Sequence, residues 1–327
     1  MIKTITFPQV AWLVALLACW ISPVTTAETI RYGVIAPPNH MWSQVMQQFK
    51  TNLERASGQQ IIVKESRFAK VRGEAHIVDS LKKGQLQVGI VAAGGLTTLD
   101  PSLNGWLVPY QFEGIEQLEK AASGDDAKAM LAELEAHNLI ALGYTFGGMR
   151  QILMPKRATD MAALKGKRVS SYTNDVFYNW YRQLGIDPQP VQIQDVRVKM
   201  EQGKLDAIDC DLATAVGLKL YQAAPHLMLT NQMAFPGIFT VSKKWWSGLS
   251  PGMQARVTEA FVQAEQWGAQ RLAQSERANL RTLREHGVTV TELKEADFNG
   301  VPEKLRNFYY STHPRLKRFG LAVTESP

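Results

Sequence analysis

Cysteine is nearly absent from this chain: Cys19 and Cys210 are the only two in 327 residues. If the first 27 residues are removed, Cys210 stands alone and no disulfide can form within the chain. Long apolar runs are also missing. The longest, Val10 to Ile21, has 12 residues, and nothing else approaches the ~18 needed to span a bilayer. Catalytic signatures are missing too. The six histidines (His40, His76, His137, His226, His286, His313) are scattered, with no HExxH or other metal spacing. There is no G-x-S-x-G elbow, no GxxxxGK[ST] phosphate loop, and no G-x-G-x-x-G opening a helix after a strand. No long charge block or basic stripe with interleaved aromatics occurs, which argues against disorder and against a nucleic-acid partner.

What is present begins with a leader. Met1-Ile2-Lys3 is a short positive start, Val10 to Ile21 an apolar core, and Thr25-Thr26-Ala27 a small-residue exit. That layout predicts an export signal cleaved after Ala27 and a periplasmic mature protein. A retained anchor is the alternative, and Leu16-Leu17-Ala18-Cys19 loosely resembles a lipoprotein cleavage site. Cleavage removes Lys3 and no acid, leaving 35 of the 36 basic residues against 30 acidic ones, a net +5. Such a field favours small anions.

The remaining 300 residues suit about two domains. Strand-like segments (Glu28–Ala36, Gln60–Glu65, Leu86–Val91, Leu139–Phe146, Arg150–Met154, Arg168–Ser171, Pro190–Ile193, Leu205–Ile208) alternate with helical ones. The alternation predicts an α/β fold with parallel-rich sheets. Ser250-Pro251 is a good helix start, and helical patterning runs from there to His286, about 55 Å at ~1.5 Å per residue. A helix that long would brace two lobes; a break near Gly268 into two helices is the other reading.

Three constellations carry possible chemistry. Asp206, Asp209 and Asp211 in LDAIDCDL are close enough to hold a hard cation, but no fourth ligand is evident and no metal is expected. Cys210 among them is a poor nucleophile, because flanking aspartates suppress the thiolate. Arg150 and Arg168 each open a short strand. A guanidinium is costly to bury unpaired, so each pairs with acids of the fold or reserves its donors for a ligand carboxylate.

Six segments, in order, resemble the DctP-type solute receptors of tripartite ATP-independent periplasmic (TRAP) transporters. They are VRGEAHIVDSLKKGQLQVGIV, LVPYQFEGIEQLEKA, GGMR, LKGKRV, EQGKLDAID and SKKWWSGLSPGMQARVTEAF. The resemblance implies a two-lobed periplasmic-binding fold, type II like, with two hinge crossings and a bracing helix. It implies one lobe from 28–147 and 236–275 and a second from 148–235 and 276–327. It implies that Arg168 forms the main salt bridge to a ligand carboxylate, with Arg150 assisting. It implies that Glu74 faces the ligand; Tyr172, beside Arg168, either lines a more apolar cavity wall or packs in the core, and the expected binding set is Arg168, Arg150, Glu74, Cys210, Tyr172 and Ile193. Where the family pattern has asparagine this chain has Cys210, which argues against a polyhydroxylated ligand gripped there. The implied partners are a small organic acid and the small and large permease subunits, with a monomeric receptor, no cofactor and no enzymatic step. A periplasmic lyase or isomerase, and a ligand-sensing module, are the rival readings.

Overall fold

The computed structural model describes residues 27–67 and 72–324. The expected export signal, its cleavage site and Cys19 lie outside the described residues, apart from Ala27 itself. No helix among the described residues is long and apolar enough to cross a membrane.

The strands are β1 (Glu28–Gly33), β2 (Ile61–Glu65), β3 (Val88–Ala92), β4 (Leu139–Met154), β5 (Arg168–Ser171), β6 (Asp187–Pro190), β7 (Ala207–Asp211), β8 (His226–Leu229), β9 (Ala234–Ser242) and β10 (Thr289–Glu292). They connect in the order β2-β1-β3-β9-β4-β7-β5-β6, with β8 pairing β4 and β10 pairing β8. Helices flank both ends of this array, so the α/β class follows from the sequence alternation. The sheets are more mixed than expected. β1–β2, β1–β3, β5–β6, β5–β7 and β8–β10 are parallel. Every contact made by β4 and β9 is antiparallel.

β4 is the organising element. The sequence reading divides it at Gly147-Gly148, but the strand continues through both glycines. Up to Met149 it pairs with β9; from Arg150 it pairs with β7 and β8. One strand therefore ties a first half (β1, β2, β3, β9) to a second (β5–β8, β10). The register shifts between Phe146 and Met149, where Gly148 has φ +102°. A side chain there would be strained, and its Cβ would come within 2.7 Å of the Glu276 carboxyl.

The long helix is single, Pro251–Glu285, with the Ser250 hydroxyl accepting from the Met253 N–H and proline in its first turn. It packs on the Met41–Ala56 helix of the first half and the Leu212–Gly217 helix of the second, and so braces both. Gly268 does not break it. A Cβ there would sit 2.5 Å from Val45 Cγ2, so glycine lets the two helices approach closely.

The C-terminal region divides between the halves. The Val301–Thr312 helix packs on the Asp175–Gln183 helix, with Asn179 donating to the Tyr309 hydroxyl at 2.7 Å. The last helix, Pro314–Thr324, returns to the first half: Phe319 lies 4.7 Å from the Trp106 ring, and Gln111 donates to the Gly320 carbonyl. The expectation that 276–327 belongs wholly to the second lobe is corrected for this helix, whose apolar face is matched by the Trp106–Phe112 cluster.

Candidate functional site

A cavity of about 340 Å³ opens between the halves, at the small end of ligand-sized pockets. Its walls come from the carboxyl-terminal ends of β1, β5 and β7, the usual place for a ligand in an open α/β sheet. Arg150, Glu74, Tyr172 and Ile193 all line it.

Arg150 sits where β4 changes partner. It is 5% exposed, with Nε donating to Asp209 Oδ1 at 2.7 Å and Nη2 to the Asp209 carbonyl at 2.7 Å. Nη1 stands 3.7 Å from Asp211 Oδ2, an ion-pair distance without a hydrogen bond. Phe235 covers one face of the guanidinium at 4.5 Å, with Phe177 further off. The other Asp209 oxygen accepts from the Tyr181 hydroxyl at 2.8 Å, and Gln232 donates to that hydroxyl. Burial pushes the Asp209 carboxyl upward, opposed by Arg150 and Tyr181.

Asp211 ends β7 and caps the helix that follows, accepting from the Thr214 N–H and hydroxyl. His40 caps the helix at Met41 through Nδ1, which accepts from Trp42 N–H and leaves Nε2 facing Asp211 at 3.6 Å. Burial would raise the Asp211 carboxyl, but His40, Arg150 and Thr214 outweigh it and hold it at about 2.

Glu74 begins the Glu74–Lys83 helix and is 9% exposed. It accepts from Ala92 N–H at 2.6 Å and from the Tyr172 hydroxyl. Burial lifts its carboxyl to about 7 despite both donors. The turn at Gly94-Gly95 presses on this pair; a Cβ on Gly95 would come within 2.7 Å of Glu74 Oε2. Tyr172–Glu74 therefore bridges the halves, as do Asn174 Nδ2 to Thr97 Oγ1 at 3.2 Å and Asn39 Nδ2 to the Ala213 carbonyl at 2.8 Å. These contacts hold the two halves together around the cavity.

Two expected residues are elsewhere. Arg168 starts β5, at the end of the strand away from the cavity. Its guanidinium grips Asp206 through Nε (3.0 Å) and Nη2 (3.1 Å) and the Gly203 carbonyl at 2.8 Å, with the side chain 40% exposed. The expectation that it forms the main ligand salt bridge is corrected: two residues further along the same strand, Ser170 and Ser171 line the cavity instead. Cys210 is fully buried in the second half's core with Leu153, Ile208 and Leu227. Strand alternation turns it away from the cavity that its neighbours Asp209 and Asp211 line. Burial, then Asp211, pushes its thiol upward.

The sequence reading missed His40, Trp42, Ser170 and Phe235 as cavity residues. It weighed Asp209 and Asp211 only as metal ligands. The position of Ser170 near the end of β5 and of Asp209 and Asp211 at the end of β7 was the available signal; His40 and Trp42, at a helix start, and Phe235, at the start of β9, had none.

The model of the family of bacterial extracellular solute-binding proteins, family 7 (DctP), matches residues 32–313. The 2,3-diketo-L-gulonate-binding periplasmic protein of Escherichia coli is 20% identical over 318 residues, covering 96% of this chain and 97% of that one. A TRAP periplasmic solute-binding protein of Xanthobacter autotrophicus with bound β-D-galacturonate superposes with TM-score 0.85 at 19% identity, covering 91% of this chain and all of that one. One from Haemophilus influenzae with bound L-gulonate gives TM-score 0.85 at 22% identity, covering 91% and 99%. With its two sheet systems, a cavity between its halves and a family match over most of its length, the chain belongs to the family 7, DctP-type extracellular solute-binding proteins.

Proposed function

We propose that this receptor captures a small organic acid in the cavity between its halves and hands it to a TRAP permease of one small and one large membrane subunit. Arg150 carries the reading. It is a guanidinium at the wall of an interlobe cavity whose Nη1 group makes no hydrogen bond among the described residues, so two N–H donors can meet a carboxylate. Asp209 and Tyr181 hold it in place rather than using it up, and Phe235 fixes its plane. The relatives' ligands, galacturonate and gulonate, are acids of a size suited to such a cavity. Separation at β4, near Gly148, with loss of the Tyr172–Glu74 and Asn39–Ala213 bonds, would open the site. The leader read at residues 1–27 fits export and cleavage after Ala27, and the receptor acts as a monomer without cofactor.

Arg150→Lys tests this. A lysine keeps the charge for Asp209 but loses the planar fork. The ligand-induced rise in Tm, measured against a library of mono-, di- and keto-acids and uronates, should fall to near zero while the apo Tm stays within a few degrees. An undiminished shift would reject Arg150 as the carboxylate anchor.

A further inference from the structure

Three carboxylates line the cavity, Glu74, Asp209 and Asp211, against one guanidinium and one imidazole. Asp209 is matched by Arg150 and Tyr181, and Asp211 by Thr214 with His40 facing it. Glu74 is different. Its two partners, the Ala92 N–H and the Tyr172 O–H, are neutral donors, and among the described residues no cation stands within ion-pair distance. The rings of Tyr172 and Phe235 separate it from Arg150. The site therefore offers an anion-binding fork at one end and an unmatched carboxylate at the other.

A plain monoacid would meet Arg150 with its carboxylate but leave Glu74 without a charged partner, and a buried unpaired ion is costly. A molecule with its carboxylate on Arg150 and a cationic group on Glu74 adds no net charge and gives each of its ends an opposite partner. Resting on the receptor reading above, we infer that Glu74 is the specificity-determining residue for a zwitterionic solute, an acid that also carries an ammonium or similar cation.

The pH dependence separates this from proton uptake. Among the described residues, the titratable or charged groups that line the cavity with Glu74 or bond it are Tyr172 from the end of β5 and Arg150, Asp209, Asp211 and His40 across the cavity, with His76 on its own helix bonded to Ser80. With the Glu74 carboxyl at about 7 in the empty site, a cation prefers its ionised form, so zwitterion affinity rises as pH climbs through 7. A plain acid would bind better as pH falls.

Titration calorimetry on the wild-type chain and on Glu74→Gln, at pH 6 and pH 8, decides it. The probes are matched pairs differing only in ammonium against hydroxyl: alanine and lactate, serine and glycerate, 4-aminobutyrate and 4-hydroxybutyrate, glucosaminate and gluconate. At least one amino member should bind ~10-fold or more tighter than its hydroxy counterpart, by a margin that grows from pH 6 to pH 8. Glu74→Gln, shown folded by its thermal transition, should lose that margin. Hydroxy acids binding as well as their partners, or a preference that survives Glu74→Gln, overturns the role of Glu74 and leaves the receptor reading intact. Binding of neither series overturns both.

Discussion

At the residue scale, the two arginines that open β4's second segment and β5 have opposite fates. Strand direction decides between them. Arg150 lies where two sheets meet over a cavity; Arg168 lies at the amino-terminal end of its strand, where solvent and Asp206 satisfy it. An exposed pair of this kind contributes little. Arg168→Ala should therefore leave ligand affinity unchanged and the urea midpoint close to wild type, as read from urea unfolding and the ligand-induced thermal shift. The residue types were legible in the sequence, and so was the need of each guanidinium for a partner. Which end of β5 faced the ligand was not, because a short RVSS strand carries no mark of its direction relative to a cleft formed by segments far away in sequence. Cys210 illustrates the same limit. Alternation within AIDCD put either the aspartates or the thiol on the cavity side, and only the packing of Leu153 and Leu227 around the thiol fixed which.

At the element scale, the long helix was legible from Ser250-Pro251 and from the absence of a breaker other than Gly268. That glycine looked like a candidate break; its role is close contact with Val45. Gly268→Leu should force the Met41–Ala56 helix away and cost about 1–3 kcal/mol, measured by urea denaturation, although leucine is the better helix former. A stabilised variant would show that the contact is not tight. β4 was read as two strands because Gly147-Gly148 looks like a turn. The chain instead uses that pair to bend a continuous strand past His40 and Glu276, whose side chains occupy the space a Cβ would take. Tertiary crowding of this kind has no local sequence signal.

At the scale of the whole molecule, the α/β class and the bracing helix followed from pattern and the two-lobed plan from the family resemblance, whereas the return of the last helix to the first half did not. Phe319 and Gly320 meet Trp106 and Gln111 some 200 positions earlier, beyond the reach of periodicity. The closed halves also share a titration behaviour. Burial raises Glu74 to about 7 and Glu276, beside the β4 crossing, to about 8. Both hold protons when folded that the unfolded chain releases above ~4.5, so their contribution is full at lower pH and is lost as pH rises through 7 and 8. Glu74 alone accounts for a loss on the order of 3 kcal/mol. The apo Tm should fall between pH 5 and pH 8.5, and Glu74→Gln with Glu276→Gln should flatten that slope. A Tm that rises over this window would contradict the assignment.

The most direct measurement compares the dissociation constant of one bound acid for the wild-type chain, Arg150→Lys and Arg168→Ala by titration calorimetry. The cavity predicts a weakening of ~10-fold or more for Arg150→Lys and no change for Arg168→Ala. Unimpaired binding by Arg150→Lys together with lost binding by Arg168→Ala would place the solute outside the cavity described and contradict the account.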